Sequence, residues 1–130
     1  MMNENRFTIL ADAGLTHLFE TIDSAAGDDL DVDKNEGLLT IELEGGGQYV
    51  INKHAPNCQI WLSSPVSGAH HFDYDETAGG WVDTRAVSRG AMASESMLEV
   101  ILSSELSAVL GREIDLGAIP PAMPPETGAA

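Results

Sequence analysis

A change in hydrophobic periodicity divides the chain into helical and extended parts. From about residue 5 to residue 26, apolar side chains recur at spacings of three and four, as one buried helical face requires. They are Phe7, Leu10, Leu15, Leu18, Phe19 and Ile22. The period then becomes two, and Leu39, Ile41 and Leu43 alternate with polar residues, which is typical of half-buried antiparallel strands. The helical period returns between about Ser94, a candidate N-cap, and Leu110.

Turn residues separate the predicted strands and set the fold class. Strands are expected near residues 30–33, 39–44, 49–53, 59–63, 69–74 and 81–84, with a weaker candidate at 85–88. Because all strands stand between two helices, the pattern favours an α+β fold over alternating βαβ units. We predict two helices packed on one face of a single antiparallel sheet of about five to seven strands. The other face is predicted to be uncovered and to carry Asn52, Gln59 and Trp61.

The charge balance narrows the classes of partner. The chain of 130 residues has 21 acidic and 6 basic side chains, a formal net charge of −15. Such a surface repels nucleic acid and anionic lipid, so we expect neither as a partner. It attracts metal cations or a basic protein. No apolar run approaches the roughly 20 residues of a membrane span. The single Cys58 excludes an internal disulfide and fits a reducing compartment.

The length suits one domain, which we place at residues 1–116. A tail rich in proline and alanine follows at residues 117–130 and is expected to be irregular. Ile119 and Met123 are its candidates for packing onto the domain.

Three alternate aspartates, Asp29, Asp31 and Asp33, are a candidate cation site. They do not form an EF-hand loop, because the positions for its glycine and its bidentate glutamate hold Lys34 and Thr40. On one side of a strand they stand about 6 to 7 Å apart, too far to chelate one ion tightly. The pattern therefore predicts a row of weak, open oxygen sites for hard or borderline cations. The alternative is a solvated acidic edge strand that discourages aggregation.

Other candidate residues leave alternatives open. Glu20 and Asp23 are three apart on the first helix and could extend the acidic row, and His17 precedes Glu20 by three. Nucleophilic catalysis is not indicated, because the serines around Pro65 lack a GxSxG elbow. Trp61 is either a partner contact or a side chain packed under a loop.

The stretch YVINKHAPNCQIWLSSPVSG resembles the signature of the frataxin family. The similarity continues through FDYD and GGWV to LEVILSSEL and GREIDL, and covers roughly residues 7–116. The resemblance implies two helices against an antiparallel sheet and weak binding of Fe²⁺ and Fe³⁺ by an acidic ridge. It also implies a role in iron-sulfur cluster assembly, as an iron chaperone or a modulator of the cysteine desulfurase–scaffold complex. No transit peptide is evident, which suggests the bacterial cytoplasm, or the mitochondrial matrix for a mature eukaryotic chain.

The resemblance also implies site residues, carried over by position. The ridge comprises Glu20, Asp23, Asp28, Asp29, Asp31 and Asp33, with His17 as a looser assignment. The partner-facing positions are Asn52, Gln59, Trp61 and His71, the last standing where many relatives carry a basic residue. We expect a monomeric binding protein and not an enzyme. The alternative is a ferroxidase or iron-storage protein that oligomerises with iron.

Overall fold

The computed structural model describes residues 2–120. Its helices and strands, in chain order, are α1 (Glu4–Ala26), β1 (Leu30–Asn35), β2 (Leu38–Leu43), β3 (Gln48–His54), β4 (Gln59–Ser64), β5 (Gly68–Asp75), β6 (Gly80–Asp83), α2 (Thr84–Ser88) and α3 (Leu98–Leu110). Within these residues no helix has the length and hydropathy needed to cross a membrane.

The first helix forms where the periodicity predicts it. Asn3 caps its N-terminus, because its side chain accepts a hydrogen bond of 2.8 Å from the amide of Arg6. The predicted apolar face is buried apart from Phe19, which is half-buried. Gly14 lets this face approach the sheet closely, since a Cβ there would stand 3.4 Å from Nε1 of Trp81.

The six strands form one antiparallel sheet in sequential order, β1 to β6. Their inward side chains form one core with the buried residues of α1 and with Leu98, Leu102 and Leu106 of α3. These inward residues include Leu39, Ile41, Tyr49, Ile51, Ile60, Leu62, Phe72 and Trp81. The predicted fold class, with both long helices on one face of the sheet, is confirmed. We call the side with the helices the inner face and the opposite side the outer face.

Two local predictions were wrong. Residues 85–88, the weak strand candidate, form helix α2 because the Asp83 side chain caps it, accepting from the amide of Ala86 at 3.1 Å. The second long helix begins at Leu98 and not near Ser94. Asp83 donates its amide to the Ser96 carbonyl at 2.9 Å, and Met97 bridges to Val82, so this segment extends the sheet. The predicted stop at Gly111 is confirmed by its left-handed φ of 68°.

After α3 the chain lies against the helices without regular structure. The Ser107 hydroxyl accepts from the amide of Ile114 at 2.8 Å, and the Ser103 hydroxyl accepts from that of Leu116 at 3.0 Å. Ile114, Leu116 and Ile119 are buried in the core. Ile119 thus packs as expected, although it lies inside the predicted tail. The boundary at residue 116 stays a prediction, and Met123 lies outside the described residues.

Candidate metal and partner surface

The strand register arranges the outward side chains in rows across the outer face. At one margin Asp31 of β1 lies directly opposite Glu42 of β2, which lies opposite Gln48 of β3. Directly opposed residues on one face have their Cβ atoms about 4.5 to 5.5 Å apart. Asp31 and Glu42 are therefore close enough to share one cation through oxygens of both carboxylates. Two like charges in this arrangement repel one another, so a bound cation would relieve an unfavourable interaction.

A groove of about 570 Å³ lies between the α1–β1 turn and the β2–β3 turn, beside this acidic pair. Five carboxylates line it: Asp28, Asp29, Asp31, Glu42 and Glu44. Three of them belong to the predicted ridge. Sequence reasoning missed Glu42 and Glu44 as site residues. The turn at Glu36–Gly37 could have identified Glu42, because a two-residue hairpin loop fixes the register that pairs β1 with β2.

The remaining residues of the predicted ridge lie apart from this groove. Asp33 lies opposite Thr40, and Glu20 and Asp23 are exposed on α1. Within the groove, Asp29 is already partnered, since Arg112 donates to its carboxylate and forms an ion pair with it. No group of three or more histidine, cysteine, aspartate or glutamate side chains in residues 2–120 is arranged to hold a metal ion. Their role as weak, open cation sites stays a prediction.

His17 does not join the groove. Its Nε2 lies 3.4 Å from the carbonyl of Leu116, between α1 and the segment after α3. On that side it interacts with Glu99, a residue that is only 5% exposed. Burial raises the pKa of Glu99, and one of its oxygens has no hydrogen-bond partner among the described residues. The structure therefore sets His17 beside a buried acid on the inner side of the molecule.

The centre of the outer face carries three stacked rings. Trp61 of β4 lies between His54 of β3 and His71 of β5, with ring centroids 3.6 Å and 4.3 Å away. The interplanar angles are 10° and 12°, so the rings are nearly parallel. We call these three residues the ring stack. Trp61 is thus half-buried, with one imidazole stacked on each side of it. His54 was not among the predicted residues, although its position two residues after Asn52 places it on the same face.

Hydrogen bonds hold the ring stack in one orientation. The indole N–H of Trp61 donates to Oε1 of Gln59 at 2.8 Å, and Nε2 of Gln59 donates to Asp73 at 3.1 Å. Asn52 lies opposite Trp61 in the register. All four predicted partner residues therefore lie together on the outer face, while their role stays a prediction. Stacking on both sides and the hydrogen bond to Gln59 thus hold the indole of Trp61 in a fixed position.

The inner face contains a polar cluster that joins α3 to the β4–β5 turn. The Glu105 carboxylate accepts hydrogen bonds from the hydroxyls of Tyr49, Ser64 and Ser67. His70 links Ser67 to Asp83, at 2.8 Å from the hydroxyl and 2.9 Å from the carboxylate. Burial and the bond to Glu105 raise the pKa of Tyr49.

The connectivity of Ser67, His70 and Asp83 resembles a catalytic triad but lacks the other parts of such a site. The Ser67 hydroxyl already donates a hydrogen bond to the Glu105 carboxylate. The amides of Val66 and Ser67, which could form an oxyanion hole, donate to the Ser64 hydroxyl instead. We therefore assign this cluster to structure and not to catalysis.

Comparison with known proteins assigns the family. The model of the frataxin-like domain matches residues 1–112. Mitochondrial frataxin of Arabidopsis thaliana is 38% identical over 120 residues, covering 89% of this chain and 60% of that protein. The iron-sulfur cluster assembly protein CyaY of Pseudomonas paraeruginosa is 39% identical over 99 residues, covering 75% of this chain and 90% of that protein.

Solved structures agree with this assignment. Frataxin from Psychromonas ingrahamii superimposes with a TM-score of 0.73 at 31% identity, covering 90% of this chain and 100% of that one. Trimeric frataxin from Saccharomyces cerevisiae, complexed with ferrous iron, gives a TM-score of 0.61 at 37% identity, covering 78% of this chain and 86% of that one. The chain therefore belongs to the frataxin-like family.

Proposed function

We propose that this protein binds iron weakly and acts in iron-sulfur cluster assembly, where it supplies iron to a cysteine desulfurase–scaffold complex or modulates that complex. One observation carries the proposal: the opposed carboxylates Asp31 and Glu42 and the ring stack lie on the same outer face. The names of the bacterial relatives support a role in cluster assembly. Iron is here a cargo and not a resident cofactor.

The acidic margin, by which we mean Asp31, Glu42 and the other carboxylates of the groove, suits iron as a cargo. Carboxylate oxygens are hard ligands, and Fe²⁺ stands low in the affinity order of the divalent first-row metals. An opposed pair that is open to solvent offers few ligands, so binding is weak and release to a partner is easy. Glu44, Asp28 and the remaining ridge residues raise the local concentration of cations through their charge.

The ring stack suits a protein partner. Tryptophan is enriched among the residues that contribute most to interfaces, and this one is held in place before binding. Asn52, Gln59 and His71 surround it and offer polar groups. A basic part of the same partner would meet the acidic margin, so iron and partner compete for these carboxylates.

A desulfurase assay with purified desulfurase and scaffold, with and without this protein and with and without Fe²⁺, tests the proposal. We expect the protein to change the rate of sulfide release and Fe²⁺ to alter the size of that change. Identical rates in all four conditions, together with no binding to the complex, would remove the proposed function.

Ferroxidase activity is not part of the proposal. It requires a closed pair of irons with bridging ligands, as in Glu-x-x-His bundles. Among residues 2–120 the carboxylates do not assemble into such a group. Oxygen consumption equal to that of free Fe²⁺ is the expected result. The compartment stays a prediction, because relatives are named from both bacteria and mitochondria.

A further inference from the structure

Two arginines of the α2 region have no carboxylate partner in the described chain. Of the other four basic side chains, three form ion pairs with carboxylates: Arg6 with Glu76, Lys53 with Asp12, and Arg112 with Asp29; Lys34 of β1 forms none within residues 2–120. Arg85 and Arg89 are exposed, and no carboxylate oxygen of residues 2–120 lies within 4.0 Å of their side-chain nitrogens. On a protein of net charge −15, two exposed arginines four residues apart and without an ion pair are unusual.

Helix α2 is fixed beside the ring stack. Phe72 of β5 pairs with Asp83 of β6 in antiparallel register. His71, which precedes Phe72, therefore lies beside Thr84, which follows Asp83 and begins α2. The Thr84 hydroxyl donates to the Asp73 carboxylate at 2.8 Å, and the other oxygen of that carboxylate accepts from Gln59, which holds the Trp61 indole. The short helix is therefore tied to the hydrogen-bond chain that orients the ring stack.

Charged and aromatic residues follow one another along the strand order. The acidic pair lies on β1 and β2, the ring stack on β3 to β5, and the two arginines in and just after α2, which follows β6 and contacts β5. Val87 of α2 and Met92, four residues after the end of the helix, are exposed by 36% and 61%. Arginine and methionine are enriched in protein interfaces. The alternative is a pair of arginines that are merely solvated.

We propose that Arg85 and Arg89 extend the partner surface and bind carboxylates of an acidic segment of the partner protein. This inference rests on the proposed function. A guanidinium group forms paired hydrogen bonds with a carboxylate, which fixes geometry as well as attraction. The partner would be basic where it meets Asp31 and Glu42, and acidic where it meets α2. This order of charges selects one docking orientation, because the reversed one brings like charges together. A second copy of this chain is disfavoured as the occupant, since two molecules of charge −15 repel each other.

Binding kinetics on the immobilised desulfurase–scaffold complex test the inference. The variants are Arg85→Ala/Arg89→Ala, Trp61→Ala, and the control Ser104→Glu/Ala108→Glu on the exposed side of α3. The control lowers the net charge by the same two units as the arginine variant, but on the inner-face side of the molecule. Melting temperatures confirm that each variant is folded.

We expect the arginine variant to bind about tenfold more weakly, mostly through slower association and with a shallower dependence on salt. Trp61→Ala should weaken binding through faster dissociation, and the control should stay within about twofold of wild type. Arg85→Lys/Arg89→Lys should keep the association rate but dissociate faster, because the paired hydrogen bonds are lost.

The two proposals fail in different ways. If the arginine variant binds like the charge control while Trp61→Ala is impaired, α2 is not part of the interface and the proposed function stands. If wild-type protein does not bind the complex at all, the proposed function fails and this inference fails with it.

Discussion

Replacing Glu42 with glutamine should strengthen the fold and weaken iron binding at the same time. Glu42 lies directly opposite Asp31, and both side chains are exposed on the outer face. Two unit charges about 6 Å apart in water repel each other by about 0.7 kcal/mol. Like charges in directly opposed strand positions cost a similar amount. Glu42→Gln removes this repulsion but also removes one of two carboxylates that can share a cation.

The expected gain in the free energy of unfolding is therefore about 0.5 kcal/mol at low ionic strength, which corresponds to about 1 to 4 °C in melting temperature. In 1 M salt the Debye length falls to about 3 Å, so the gain should disappear. Affinity for Fe²⁺ should fall about tenfold, because a binding site with two carboxylates loses one of them.

Thermal melts at 10 mM and 1 M salt measure the first effect, and anaerobic calorimetric titration with Fe²⁺ measures the second. The control variant Glu113→Gln removes the same charge from an exposed position after α3, outside the groove. Glu113→Gln should change neither the melting temperature nor the Fe²⁺ affinity beyond the effect of the altered net charge. A Glu42→Gln protein that is no more stable than this control at low salt would refute the reasoning from register. A variant that gains stability but keeps its Fe²⁺ affinity would refute the assignment of the pair as an iron site.

Further predictions concern the ring stack, the inner cluster and the buried acid. Trp61→Ala should reduce affinity for the desulfurase–scaffold complex at least about tenfold, since central tryptophans commonly contribute more than 1 kcal/mol to an interface; unchanged affinity in a calorimetric titration would contradict the partner surface. Glu105→Ala should lower the free energy of unfolding by about 2 to 4 kcal/mol, because the hydroxyls of Tyr49, Ser64 and Ser67 lose their common acceptor; urea denaturation measures the loss, and Ser104→Ala on the exposed side of α3 should show little. Glu99→Gln should raise the melting temperature near pH 7.5. The pKa of Glu99 is raised in the folded protein, so the unfolded chain loses this proton first and the folded protein loses stability as pH rises above the ordinary glutamate pKa. Below that pKa, Glu99 is protonated in both the folded and the unfolded chain. The advantage of Glu99→Gln should therefore vanish in melts near pH 4, and an advantage that is the same at both pH values would show that burial of the charge is not its cause.

Much of the fold could be predicted because its determinants are local. The period of three to four in α1 and the period of two in the strands decide which residues face the core, and the structure buries those residues. The start of α3 and the helix at 84–88 were predicted wrongly for a common reason. Both depend on Asp83, whose side chain caps α2 and whose amide bonds to Ser96, and neither effect appears in hydrophobic periodicity.

The sequence by itself determined the fold class and the outward direction of Asp31, Asn52, Gln59 and Trp61, because side-chain direction along a strand alternates with every residue. Only the tertiary structure decided which of these side chains meet. The pairing of Asp31 with Glu42 and the enclosure of Trp61 by His54 and His71 depend on strand register. Two further features depend on contacts between residues more than 80 positions apart. They are the position of His17 beside Glu99, away from the groove, and the ion pair of Asp29 with Arg112. Such contacts form only when the whole chain has packed, since no local pattern specifies a partner at that distance in sequence. The acidic residues and the ring stack, which lie in separate parts of the sequence, therefore become one continuous face only in the folded protein.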